Sequence, residues 1–186
     1  MANDTTRRSA VERLAQGGPP EAFLVPLQDS IKIGVKGPSV LAWLGDHTVP
    51  YSEAVYGTER VSDGSLVVRI ASDEFIVEST LTEGSVQRID KELSAYTNGV
   101  YRVEQQSESL ILKGSHAPRV WAETCGVNVV REPTDRIIYT RVAGIACGII
   151  PEGEADNRSY RIWVDYSYAP DLYKTILEIL SEKIEH

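Results

Sequence analysis

"SIKIGVKGPSVLAWLG" runs from Ser30 to Gly45, and "SLILKGSHAPRVWAETCG" runs from Ser109 to Gly126. Each begins with a serine and an apolar, strand-like run and reaches Lys-Gly. Each then places a proline near the start of a segment that carries one tryptophan. A phrase stated twice in one chain is the mark of an internal repeat, and a repeat constrains the fold before any other feature does.

The residues after each phrase keep the same order. In the first half Ile31, Ile33 and Val35 alternate, which predicts a strand with one buried face. Gly37-Pro38 then opens a short helix with Val40, Leu41 and Leu44 on its apolar side; proline is tolerated in a first helical turn, where its missing N–H costs nothing. "AVYGTERV" leads to a tight hairpin at Asp63-Gly64. "SLVVRIA", a turn at Ser72-Asp73 and "EFIVES" follow as two more strands. A helix faced by Val86, Ile89, Leu93 and Tyr96 comes next. Asn98-Gly99 stops it, and "VYRVEQ" closes the half as a strand.

The second half reads "SLILKG" as a strand, "APRVWAETCG" as a helix, and "RIIYTRV" and "IACGIIPE" as strands joined at Ala143-Gly144. "YRIWVDY" is a further strand. Pro170-Asp171 opens a last helix faced by Leu172, Ile176, Ile179, Leu180 and Ile184. Even Arg-Val recurs before the turn, at Arg60-Val61 and at Arg141-Val142. The polar insertion "EGEADNRS" stands where the first half has a tight turn. Strand, helix, strands, helix, strand is the order of a ferredoxin-like split β-α-β unit. The expected fold class is therefore α+β, with two such modules related by duplication. Residues 21–186 form a single unit on this reading, with modules of about 21–106 and 107–186, because about 75 residues bury only a modest core alone. "GGPPEA" ends whatever helix "SAVERLAQ" forms, so residues 1–20 read as an N-terminal arm.

Bulk properties narrow the partners. The chain has 186 residues, 42% apolar and 25% charged, and a formal net charge of −8. That field repels nucleic acid and anionic lipid surfaces, and no basic stripe offsets it. No apolar stretch has the length of a signal peptide or a membrane span. Cys125 and Cys147 lack CxxC partners and ligand-type neighbours, so neither a metal site nor a disulfide is expected. Reduced thiols and the missing signal segment predict a cytoplasmic protein.

The residues with chemical potential are few. Asp73 and Glu74 sit at a hairpin turn with Glu78 close by, where acid–base work and simple hydration of a turn both explain carboxylates. Lys36-Gly37-Pro38 and Lys113-Gly114-Ser115 each lead into a helix start, a place suited to anions as well as to turn geometry. His47 and His116 lie in loops or at a helix start with no nucleophile spaced as in a known triad, and His116 with Cys125 is the Cys–His pair to weigh. Three tryptophans and nine tyrosines serve either as core or as the walls of a flat pocket. "VDYSYAPDLY" gathers Tyr166, Tyr168 and Tyr173 just before a helix, a plausible patch for contact with another protein.

The combination "IGVKGPSVLAWLG", "DGSLVVRIASDEFIVE", "AETCGVNV" and "YRIWVDYSYAPDLYKTILEIL" resembles the γ subunit of heterotetrameric sarcosine oxidase. More broadly it is similar to the folate-binding domain of the glycine-cleavage aminomethyltransferase, the T-protein, over roughly residues 30–180. The resemblance implies two interleaved ferredoxin-like modules. It also implies one-carbon metabolism, with tetrahydrofolate as the cofactor and, for the γ chains, a flavin-dependent amine oxidoreductase as the partner. The arm "RRSAVERLAQGG", with Arg7, Arg8 and Arg13, resembles the start of γ chains, where such arms lie against neighbouring subunits. Folate-holding members carry an acidic residue after the aromatic of the strand matching "YRIWV"; here Arg161 follows Tyr160. A pterin offers N–H groups that need an acceptor, and a guanidinium only donates. The acidic pair of the transferase, the Lys-Gly-Cys-Tyr-x-Gly-Gln signature of the iron–sulfur maintenance proteins and the C-terminal barrel of the transferase have no counterpart.

The expected function is an accessory, non-catalytic subunit of a multisubunit amine oxidoreductase, binding no cofactor by itself and meeting its partners through Arg7, Arg8, Arg13, Tyr166, Tyr168 and Tyr173. A free-standing tetrahydrofolate-binding or aminomethyltransferase-like protein is the alternative, with Asp73, Glu74, Tyr160 and Arg161 as its ligand residues. An adaptor that keeps the fold only as a surface is the third reading.

Overall fold

Ile33 and Val35 are buried on one side of a strand, as their alternation predicts, and the strand heads a sheet. In the computed structural model, described for residues 24–80, 82–93, 98–154 and 158–181, the chain forms two compact units. One comprises residues 29–106 together with Asp135–Ile137, and the other takes the remainder.

In the unit of the first repeat, β2 (Ile31–Lys36) leads into helix α1 (Val40–Asp46). Strands β3 (Thr58–Arg60), β4 (Leu66–Ala71) and β5 (Glu74–Ser79) follow, then α2 (Ser85–Leu93) and β6 (Tyr101–Glu104). All pairings are antiparallel and the sheet order is β3-β4-β5-β2-β6. Counting β2, β4, β5 and β6 as the four strands of a split β-α-β unit, the first lies between the third and the fourth, with β3 added outside the second. Ile33, Val35, Val67, Phe75 and Val77 pack with Val40, Trp43 and Leu44 of α1 and with Val86 and Ile89 of α2. Leu41, expected on that face, is 37% exposed; the buried stripe of the helix is Val40, Trp43 and Leu44, spaced three and four residues apart.

The hairpin at Asp63-Gly64 closes through Val61 N–H donating to the Ser65 carbonyl at 2.9 Å. Asp63 does a second task. One carboxylate oxygen accepts the Ser65 N–H at 2.9 Å, and the other accepts both the Ser85 N–H and its hydroxyl at 2.8 Å. The hairpin thus caps the start of α2 from 22 residues away.

Gly37 is required by the close approach of two backbones. It has φ of +132°, and a Cβ there would meet the Gly99 carbonyl oxygen at 2.3 Å. Gly99 itself, φ +74°, lies in the left-handed region just before β6.

In the second unit, β7 (Ser107–Lys113), α3 (Ala117–Thr124), β8 (Ile138–Val142), β9 (Ile145–Glu152), β10 (Ser159–Asp165) and α4 (Ala169–Ser181) follow the same order. The sheet runs β1-β7-β10-β9-β8, all antiparallel. Its edge strand β1 is Leu24–Pro26, paired to Leu110–Leu112. β1 holds the place that β6 holds in the first repeat, so the fourth strand of the second repeat is supplied from upstream of the first. Leu24 is fully buried, and Tyr173 of α4 donates its hydroxyl to the Leu24 carbonyl at 3.4 Å.

Among the described residues, no helix is long and apolar enough to cross a membrane.

Candidate functional site

Strand β10 carries the two residues that the family resemblance singles out, and its pleat sends them apart. Tyr160 shares a face with Ile162 and Val164 and lies in the core, with its ring edge-on to Trp121 at 5.2 Å. Burial pushes its phenol up, partly offset by the Arg158 guanidinium, which lies 5.8 Å from the ring centre. Tyr160 is a core residue. Arg161 projects to the opposite face, as successive strand residues must.

There Arg161 has a counter-ion. It pairs with Ile150 across the ladder, which brings Glu152 to the diagonal position on the same face. Arg161 Nε donates to Glu152 Oε1 at 2.9 Å and Nη2 to Oε2 at 3.4 Å, a forked charge-assisted pair that is largely out of water. The carboxylate that meets this arginine comes from the neighbouring strand. This pair escapes sequence reading because the diagonal register, not the spacing, creates it.

Asp73 and Glu74 lie in the other unit, at the turn between β4 and β5. Asp73 is exposed; its carboxylate accepts the Ser72 hydroxyl at 3.3 Å and its carbonyl accepts the Gly37 N–H at 3.0 Å. That last bond answers the anion reading of Lys36-Gly37-Pro38. The Gly37 N–H is taken by Asp73, the Ser39 N–H by Gly99, and Pro38 has none. Glu78 is buried instead. It lies 3.3 Å from Lys32 Nζ and accepts the Ser30 hydroxyl at 2.5 Å, on the sheet face away from α1 and α2. Both side chains of the ion pair are almost wholly out of solvent.

Arg69 is also buried, stacked 5.5 Å from the Phe75 ring centre. Its guanidinium donates to the carbonyls of Ser52, Glu53, Ala71 and Ser72, stapling the 52–53 loop to the end of β4.

His116 and Cys125 flank the eight residues of α3, which sets them roughly 13 Å apart along the helix axis, beyond any shared proton. Both cysteines are free thiols. Burial pushes the Cys147 thiol up to about 12, so it is no nucleophile at neutral pH. Among the described residues no group of three or more His, Cys, Asp and Glu side chains is placed to hold a metal.

The tyrosines of "VDYSYAPDLY" divide. Tyr166 and Tyr168 are 57% and 55% exposed, on a turn fixed by Asp165, which accepts the Ser167 N–H and hydroxyl. Those bonds hold the Asp165 carboxyl below its usual range. Tyr173, expected in the same contact patch, is a core residue 2% exposed; as the fifth residue of α4 it turns inward with Leu172, Ile176 and Ala169. Arg7, Arg8 and Arg13 lie outside the described residues.

No family model matches the sequence, and no curated protein matches it by sequence. Its fold is shared with solved structures, among them the following two. One is a chain of the heterotetrameric sarcosine oxidase from Corynebacterium sp. U-96, solved with pyrrole 2-carboxylate. It is 22% identical with a TM-score of 0.74, and the match covers 95% of each chain. The other is the glycine cleavage system aminomethyltransferase T from Bartonella henselae, 15% identical with a TM-score of 0.62. That match covers 83% of this chain and 45% of the transferase, so the chain corresponds to about half of the transferase's length. Among the described residues, two antiparallel sheets, each with its own pair of helices, therefore make up the fold that this chain shares with a sarcosine oxidase chain and with part of aminomethyltransferase T, as the resemblance in its sequence implied.

Proposed function

We propose that the chain is an accessory subunit of a multisubunit amine oxidoreductase in one-carbon metabolism, acting in the cytoplasm by contact with a flavin-bearing partner. The observation that carries this reading is the fold match that runs over 95% of both chains to a member of a heterotetrameric oxidase. The dispersal of the candidate ligand residues supports a non-catalytic role. Tyr160 is in a core, Arg161 is engaged with Glu152, and Asp73 and Glu74 belong to the other unit. In this reading the arm with Arg7, Arg8 and Arg13 and the exposed Tyr166–Tyr168 turn make the contacts. Exposed tyrosines offer large contact area at small entropic cost. Tetrahydrofolate is held by the assembly and not by this chain alone.

The test is recovery of the affinity-tagged chain from its native cells, with the co-purified proteins identified and their flavin and amine-oxidising activity measured. A flavoprotein in fixed ratio to the chain is expected. Calorimetric titration of the isolated chain with tetrahydrofolate accompanies it. Low-micromolar binding by the chain alone, with no partner recovered, overturns the subunit reading in favour of a free-standing folate protein.

A further inference from the structure

Asn98-Gly99 and Asp63-Gly64 are the two places in the sequence where Asn or Asp precedes glycine. In such a pair the backbone nitrogen of the glycine can reach the side-chain carbonyl carbon and close a small ring, because no Cβ crowds that nitrogen. The fold treats the two pairs in opposite ways. Asp63 is an anion whose two oxygens are taken by Ser65 and Ser85, so its carbon is a poor electrophile. Asn98 is a neutral amide on an exposed turn, and among the described residues no hydrogen bond holds its carboxamide. Nor can Gly99 be exchanged for a residue that would shield it. Its φ is +74°, and a Cβ there would meet the Ser39 hydroxyl oxygen at 2.6 Å.

We infer that Asn98 is a site of spontaneous deamidation in the folded chain, and that its isoaspartyl product loosens the junction between the start of α1 and the lead into β6. The Gly99 nitrogen gives up its proton to hydroxide or water and bonds to Asn98 Cγ. The bond from Cγ to Nδ2 breaks, and ammonia leaves. Water then opens the ring at either carbonyl. Cleavage between the Gly99 nitrogen and Cγ gives aspartate. Cleavage between that nitrogen and the Asn98 main-chain carbonyl carbon gives isoaspartate, whose main chain is longer by one carbon. Water enters and ammonia departs, so the sequence needs no oxidant or reductant.

The added carbon falls beside tightly fitted contacts. The Gly99 carbonyl accepts the Ser39 N–H at 3.0 Å, and its oxygen would lie 2.3 Å from a Cβ on Gly37. Val100 follows in the core, 4% exposed, and Tyr101 pairs with Lys36 at the start of β6. A longer link at position 98 shifts the carbonyl that holds the Ser39 N–H.

This chemistry stands apart from the subunit reading, and the purified chain tests it. Full-length wild type, Asn98→Gln and Asn98→Asp are aged in native buffer at pH 7 and pH 9 and digested with trypsin. Peptide 92–102, released by cuts after Lys91 and Arg102, is then measured by mass and by fragmentation. In the wild type, exchange of NH2 for OH is expected at Asn98 about tenfold or more faster than at Asn128, which precedes the β-branched Val129. The rate rises at pH 9, and isoaspartate exceeds aspartate in the product. Asn98→Gln, which must close a larger ring, stays unmodified over the same period. Aged wild type melts at a lower temperature in proportion to its isoaspartate. Fresh Asn98→Asp, with the new charge but no added carbon, melts like fresh wild type. Exchange at Asn98 no faster than at Asn128, or exchange that occurs only in urea, overturns the site. Isoaspartate without a lowered melting temperature, or an equal loss in fresh Asn98→Asp, overturns its structural consequence.

Discussion

Replacing Asp63 with alanine takes three acceptor contacts from two elements at once. The Ser65 N–H loses its partner in the hairpin, and the Ser85 N–H and hydroxyl lose theirs at the start of α2. Burial alone would raise this carboxyl, but the hydrogen bonds it accepts from Ser65 and Ser85 outweigh it and hold it at about 2, against an ordinary 3.8. The gap of roughly 1.8 pH units corresponds to about 2.4 kcal/mol at full strength. Asp63 is exposed, so solvent screening reduces that to ~1 kcal/mol. Loss of a helix cap gives an independent figure of about 0.5–2 kcal/mol. The two describe the same bonds and do not add, so Asp63→Ala is expected to cost ~1–2 kcal/mol at pH 7. Because the folded carboxyl is the more acidic one, its contribution is complete above about pH 4 and fades as pH falls toward 2. Urea unfolding of wild type and variant, followed by tryptophan fluorescence at pH 7 and pH 3, measures the gap directly. It should narrow at pH 3. An equal gap at both pH values, or none at pH 7, refutes the reasoning.

Gly37→Ala forces a side chain into φ of +132° and against the Gly99 carbonyl, so it should lower stability by roughly 1–3 kcal/mol from backbone strain alone. Gly45→Ala, in α1 with no atom within 4 Å of the new Cβ, should leave the melting temperature unchanged or raise it slightly. Lys32→Met leaves the Glu78 carboxylate buried without its ammonium and should cost about 3–5 kcal/mol. The double variant with Glu78→Leu should recover most of that loss, and a double-mutant cycle in urea that shows simple additivity contradicts the coupling.

The sequence made the elements legible because six-residue strands carry enough alternation to show a face, and because Asp63-Gly64 and Ala143-Gly144 punctuate both hairpins in the same place. The ferredoxin-like order of the first repeat followed from those signals. Pairing across long stretches of chain was hidden. Leu24–Pro26 is three residues long, too short for a period, and its partner Leu110–Leu112 lies more than eighty residues downstream. Asp135–Ile137 reads locally as the approach to β8, yet its backbone bonds go to Tyr56 and Thr58. In the candidate site, Arg161 was visible as a departure, whereas its partner Glu152 depends on the β9–β10 register. Tyr173 looked like a neighbour of Tyr166 and Tyr168, but the helical period that begins at Ala169 rotates it into the core.

The origin of β1 matters on the ribosome. Synthesis runs at roughly 5–20 residues per second, so about 4–17 s separate the appearance of Pro26 from that of Leu112, the far end of its pairing strand. Within that interval nearly all of the first repeat emerges, with each of its own strands available to pair, while Leu24–Pro26 waits for an edge that does not yet exist. A long apolar strand left open in a nascent chain is a template for mispairing. Three residues that end in a proline, which has no N–H to offer, are a poor template, so the segment can be made first and used last.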